Sequence, residues 1–161
     1  NIKAKEAIQS ADLIIVGPGN LYASLIPTLL VKGMPEALAT ARGKKVFICN
    51  LMTKPGQTHG FRVVDFVSEI EKYAGKKIFD YVIYNNKKPA QNLLDRYALE
   101  GEKLVEFSEP DFSKKHYSAI GEDLVSSRIS KQNPHDKFLR RTLIRHDGDK
   151  LSQLLMKINF S

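Results

Sequence analysis

Cysteine occurs once in this chain of 161 residues, as Cys49. A single thiol excludes an internal disulfide, and its place in the apolar run Val46-Phe-Ile-Cys49 marks it as buried filler. Long hydrophobic runs are missing too. The longest, over 25–31, is interrupted by Pro27 and Thr28 and is too short to cross a bilayer. No signal-peptide pattern opens the sequence. These absences set the expectation of a cytoplasmic protein with no membrane partner. Metal-ligand spacing is lacking: His59, His116, His135 and His146 are scattered, with neither Cys-x-x-Cys nor His-Glu-x-x-His, so no metal is assigned. There is no nucleophile elbow or other hydrolase signature.

What is present suits one globular domain with a real core: 42% hydrophobic and 27% charged residues. The formal net charge is +7. Much of the excess stands between residues 126 and 145, as Arg128, Lys131, Lys137, Arg140, Arg141 and Arg145 against Asp136. Such a balance suits nucleic acid, anionic lipid or a phosphorylated small ligand. A solvated loop accounts for most of these residues. Only Phe138 interleaves with the basic ones, so nucleic acid is not the expected partner.

Apolar, β-type runs recur over 13–16, 45–50, 81–85 and 104–107, with a last one over 141–145. They show little polar alternation, as strands covered on both faces do. Helical patterns lie between them, over 35–41, 63–74 and 89–99. In the second, Val63, Val67, Ile70 and Ala74 share a face and Gly75 stops the helix. Leu151, Leu154, Leu155 and Ile158 form the stripe of a final helix. Segment 2–11 reads as a helix feeding the first strand. The alternation predicts an α/β, Rossmann-like, doubly wound and mostly parallel sheet. The region 108–138 is polar and proline-broken and reads as a loop-rich excursion of loops and short strands. The chain opens on Asn1 and reads, over 1–161, as the C-terminal portion of a single domain of a longer protein.

Three segments carry candidate chemistry. Strand 13–16 runs through Gly17-Pro-Gly19-Asn20 into a helical segment that includes Ser24. Glycines let backbone approach a ligand, and a helix start attracts negative charge. The turn is neither a P-loop nor a dinucleotide fingerprint, and taken alone it reads as an ordinary strand-to-helix connection. The second strand ends in a donor-rich loop with Asn50, Thr53, Lys54, Gln57 and Thr58, where doubly wound folds bind ligands. Asn50 suits a base edge or ribose, and Thr53 and Lys54 suit a phosphate. A Pro-Gly turn with solvent-facing polar residues fits equally. Asn85 holds the corresponding place after the third strand, where Asn-Asn before proline is also turn chemistry. In Arg145-His-Asp147, Arg145 offers a fork for phosphate or carboxylate and Asp147 suits a helix cap; His146 stays undecided.

Taken together, Ala11 through Pro27 with Leu29-Leu-Val31, Cys49 through Phe61, and Arg145-His-Asp147 resemble the gluconeogenesis-factor (YvcK-like) family of the CofD phospholactate transferase superfamily. The resemblance implies a Rossmann-like binder of a nucleotide or nucleotide sugar. YvcK-like proteins look like UDP-sugar binders that influence carbon allocation, cell-wall synthesis and cell shape. The alternative is a CofD-type transferase that uses a guanylyl-activated donor, and Mg²⁺, in deazaflavin coenzyme synthesis. No cofactor is implied with certainty on the first reading. The residues expected at the ligand are Gly17, Gly19, Asn20, Ser24, Asn50, Thr53, Lys54, Asn85 and Arg145; no catalytic residue is assigned. The family's opening strand and Gly-rich loop have no counterpart here, so the site is expected to be split and the uncovered sheet edge to favour homo-oligomers. The threonine that the family often carries after Arg-His-Asp is Gly148 here.

Overall fold

Along the strand Lys44–Ile48 and its next residue Cys49, side chains alternate between two faces, and each face has its own core. Phe47 and Cys49 join Val82, Tyr84, Phe66, Val67 and Ile70 in the larger cluster. Val46 and Ile48 join Ile83, Leu124 and Ile158 in the smaller one. A sheet buried on both faces needs covering layers on both, and the chain order supplies them.

The computed structural model describes residues 1–127 and 143–161. The element order is α1 (Ile2–Ser10), β1 (Leu13–Val16), a π-helical turn (Leu21–Leu25) running into α2 (Ile26–Leu29), α3 (Met34–Thr40), β2 (Lys44–Ile48), α4 (Val63–Ala74), β3 (Tyr81–Asn85), α5 (Gln91–Ala98), a 3₁₀ turn (Glu109–Phe112), β4 (Ser118–Glu122) and α6 (Gly148–Phe160). The strands lie in the order β1-β2-β3-β4 and all pairs are parallel. Parallel strands that step in one direction place right-handed crossover helices on one face. Accordingly α2, α3 and α4 contribute to the larger cluster, with Ile8 of α1 against it. The opposite face is left for α6, whose Ile158, Leu151, Leu154 and Leu155 cover the smaller cluster.

The expected α/β parallel fold is thus present. α4 spans the expected residues, buries Val63, Val67, Ile70 and Ala74, and ends on Gly75 at φ 66°. Its start is fastened because the Arg62 N–H donates to Asp65 Oδ2 at 2.7 Å. Two strand expectations are corrected. The run 104–107 does not join the sheet: Leu104 forms an isolated antiparallel bridge to Met52, and Glu106 a parallel one to Arg62. The fourth strand comes instead from 118–122, inside the excursion read as loops and short strands. Ser118-Ala-Ile-Gly-Glu lacks an apolar run, and none of its residues is fully buried. Gly121 lies under the Tyr84 ring, where an added Cβ would come within 2.6 Å of Cζ. The proposed last strand, 141–145, falls partly outside the described residues; Leu143 and Ile144 form a bend. The basic residues Arg128, Lys131, Lys137, Arg140 and Arg141, with Phe138, also lie outside them. No helix among the described residues is long and apolar enough to cross a membrane.

Candidate functional site

Both glycine-containing loops leave the carboxyl ends of adjacent strands, so they meet above the sheet. The joint is the Asn50 side chain. Its Nδ2 donates to the Gly19 carbonyl at 2.9 Å, and the Gly19 N–H donates to its Oδ1 at 3.4 Å. The Asn20 side chain turns back to accept from the Ala23 N–H at 3.0 Å and caps the following π-helical turn. The two loops bound a cleft of about 440 Å³. Its walls include Gly19 and Asn20, the loop from Asn50 to Thr58, Tyr97, Glu102, and Ile144 to His146. That volume falls in the range of small-ligand sites, roughly 300–1,000 Å³.

The second loop is pinned from below. Thr53 is buried; its N–H donates to the Lys103 carbonyl at 2.7 Å, and its Oγ1 accepts from the Lys103 N–H at 3.1 Å. The Val105 N–H donates to the Leu51 carbonyl at 2.9 Å. The apolar run after α5 therefore forms a short ladder with the loop floor. Within the loop, the buried Thr58 Oγ1 accepts from the Lys54 N–H at 2.8 Å. Pro55 packs against Gly101, which has a φ of 75°; an added Cβ there would be 3.1 Å from the proline Cγ.

The third wall arrives from the far end of the chain. The Tyr97 hydroxyl accepts from the N–H groups of Leu143 and Ile144 at 2.8 and 3.1 Å. The Ser126 N–H donates to the Arg145 carbonyl at 2.8 Å, and the Asp147 N–H to the Leu124 carbonyl at 2.7 Å. These bonds place Arg145 at the rim, exposed, and His146 half-buried beneath it. The Asp147 carboxylate caps α6 by accepting from Asp149 and Lys150 N–H groups, the role its position suggested.

Nε2 of His146 lies 3.1 Å from the Cys49 carbonyl. A carbonyl only accepts, so Nε2 carries the proton and Nδ1 is left as an acceptor in the neutral ring. Burial holds this histidine below its ordinary pKa, and the Cys49 carbonyl opposes that in part. Burial pushes the Cys49 thiol far up, so it is an inert core thiol. The Glu102 carboxyl is also raised, chiefly by burial, against the downward pull of Lys54.

Of the predicted ligand residues, Gly19, Asn20, Asn50, Thr53, Lys54 and Arg145 line the cleft together. Gly17 and Ser24 stand outside its lining, although their turn forms one wall. Asn85 also stands outside: its Oδ1 accepts from the Leu124 N–H at 3.1 Å and its Nδ2 donates to the Lys87 carbonyl. Sequence reasoning missed Tyr97 and Glu102 as wall residues. Tyr97 showed only as one apolar residue of a helix pattern, and Glu102 follows a helix-ending glycine without any motif.

Comparisons with known proteins bear on the family and the fold. The family model described as 2-phospho-L-lactate transferase CofD matches residues 1–125. A Thermotoga maritima protein carrying the gluconeogenesis-factor name is 38% identical over 154 residues, covering 96% of this chain and 46% of the relative. The Bacillus subtilis gluconeogenesis factor is 32% identical over 153 residues, covering 95% of this chain and 44% of the relative. The crystal structure of a UPF0052 family member from Bacillus halodurans superposes with a TM-score of 0.83 at 29% identity, covering 96% of this chain and 45% of that one. The chain spans about half the length of the curated relatives it matches. With its parallel sheet, its cleft at the strand ends and these matches, the chain belongs to the CofD family, alongside relatives that bear the gluconeogenesis-factor name.

Proposed function

We propose that this protein is a regulatory binder of a nucleotide sugar, in particular a UDP-sugar, and that it acts on carbon allocation, cell-wall synthesis and cell shape. The observation that carries the reading is the convergence of the Gly17–Asn20 turn, the Asn50-to-Thr58 loop and Arg145 on one cleft. A diphosphate suits a cleft rimmed by a guanidinium and walled by a glycine turn, where the missing side chains let a ligand come close. The lining adds groups for neutral hydroxyls, which a bare phosphate site does not need. The gluconeogenesis-factor name of the relatives fits a regulatory role in carbon metabolism. Titration of the protein in its full length with UDP-N-acetylglucosamine and with GDP tests it. Micromolar binding of the UDP-sugar with weaker GDP binding is the expected result, and exclusive GDP binding refutes it.

The description of the matching family favours a second reading, a transferase working on a guanylyl-activated donor with Mg²⁺. Among the described residues no three His, Cys, Asp or Glu side chains gather as a cation site, so these residues do not by themselves fit the ion. Product formation from a guanylyl-activated phospholactate and a deazaflavin alcohol, followed by chromatography, tests that reading.

A further inference from the structure

Most polar side chains of the cleft are already committed to the protein itself. Asn50 holds Gly19 with both amide atoms, Thr53 holds Lys103, and Thr58 holds the Lys54 N–H. His146 gives Nε2 to Cys49, and Asn20 gives its oxygen to Ala23. The Tyr97 hydroxyl accepts two backbone N–H groups. Lys54, Gln57 and Glu102 differ. They line the same cleft, and among the described residues their side chains make no hydrogen bond. Lys54 and Gln57 share one turn, closed by the Gln57 N–H donating to the Lys54 carbonyl at 3.1 Å. Glu102 is brought beside that turn because its neighbour Lys103 is bonded to Thr53. The charge of Lys54 reaches the Glu102 carboxylate.

A carboxylate in the lining decides what can sit near it. It repels a diphosphate, which is drawn instead to the guanidinium and the glycine turn. It accepts from neutral hydroxyls, and in a half-buried place such charge-assisted bonds are stronger than in water. A carboxamide both donates and accepts, which matches an array of hydroxyl groups. From the nucleotide-sugar reading and these uncommitted groups, we infer that Glu102 and Gln57 form the glycosyl subsite of the cleft, recognising the sugar hydroxyls while Lys54 compensates the carboxylate charge.

The subsite makes the cleft select a glycosylated nucleotide over the free diphosphate. The free diphosphate lacks the hydroxyls and carries an extra negative charge that Glu102 opposes. The test is isothermal titration of the full-length protein, its Glu102→Gln variant and its Gln57→Ala variant with UDP and with UDP-N-acetylglucosamine at one salt concentration. Glu102→Gln is expected to lower the preference for the sugar nucleotide by about tenfold, with UDP binding unchanged or tighter. Gln57→Ala, at a half-buried position of a surface turn, is expected to weaken only the sugar nucleotide, by severalfold. Wild-type binding of both ligands with an unchanged preference in both variants overturns the subsite and leaves the nucleotide reading standing. Wild-type binding of neither overturns both.

Discussion

The Asn50 amide ties two loops that would otherwise be independent connections. Replacing it with alanine leaves the Gly19 N–H and carbonyl without that partner, and each neutral bond is worth about 0.5–1.5 kcal/mol. Asn50→Ala is expected to lower stability by about 1–2 kcal/mol and to weaken ligand binding by loosening the turn; denaturant unfolding and titration read the two effects separately. Arg145 acts differently. It is exposed at the rim, and on the proposed nucleotide reading it supplies a charge-assisted bond worth roughly 1.5–3 kcal/mol. Arg145→Ala is expected to weaken nucleotide binding tenfold or more by that estimate, while the melting temperature barely moves. Unchanged affinity in calorimetry would leave Arg145 a structural residue. His146 sets a pH dependence. Its folded pKa lies below the ordinary 6.5, so below that pH the unfolded chain takes up a proton that the folded chain resists. Stability from this residue is complete above about pH 6.5 and declines as the pH falls toward the folded value. A wild-type melting temperature that falls on acidification below about pH 6.5, with a smaller fall for His146→Gln, is the expected outcome.

Helices and strands bring these residues together, and two glycine-dependent contacts show how tightly. An added Cβ on the buried Gly43 would lie 2.1 Å from the Ala11 carbonyl oxygen, next to the point where the Lys44 N–H begins the β1–β2 pairing at Asp12. The neighbour is backbone and cannot turn aside, so Gly43→Ala is expected to cost about 1–3 kcal/mol and lower the melting temperature by several degrees. Gly101, at positive φ, holds the loop after α5 against Pro55. Neither contact was legible in the sequence, because each depends on a segment distant in the chain. What was legible follows one period or one local rule. The apolar stripe of α4 and its Gly75 stop, the Asp147 cap, and the uniform runs of β1, β2 and β3 all express forces acting within a few residues. β4 was not, since a strand with two polar ends, a half-buried centre and Gly121 under Tyr84 carries little apolar signal. Leu104 misled because its apolar neighbours pair with a loop floor instead of a sheet strand. At the cleft, residue type alone could not separate Asn50 and Thr53, whose side chains are bonded to backbone, from Gln57 and Glu102, whose side chains make no hydrogen bond among the described residues.

At the scale of the molecule, β1 is an edge of the sheet among the described residues, and Ile15 within it is 46% exposed. Unpaired edge backbone beside an apolar side chain is a template for another strand. The 161-residue chain produced alone is therefore expected to self-associate with rising concentration in sedimentation runs, at masses above 18.2 kDa. Ile15→Lys should reduce that association, since a charge on an edge strand opposes pairing. Concentration-independent monomers for both proteins would show that the edge is protected. The cleft spans the chain in another sense. Thr53 meets a partner 50 residues later, and Cys49 meets His146 after 97. During synthesis, at roughly 5–20 residues per second, about 5–20 seconds separate the emergence of Cys49 from that of His146. Over that interval a nascent chain can pair its first strands but has no third wall to close on a ligand. On the proposed nucleotide reading, ligand retention marks only molecules whose translation has passed the last wall, and a chain released early is identifiable by its failure to hold nucleotide even where its sheet is sound.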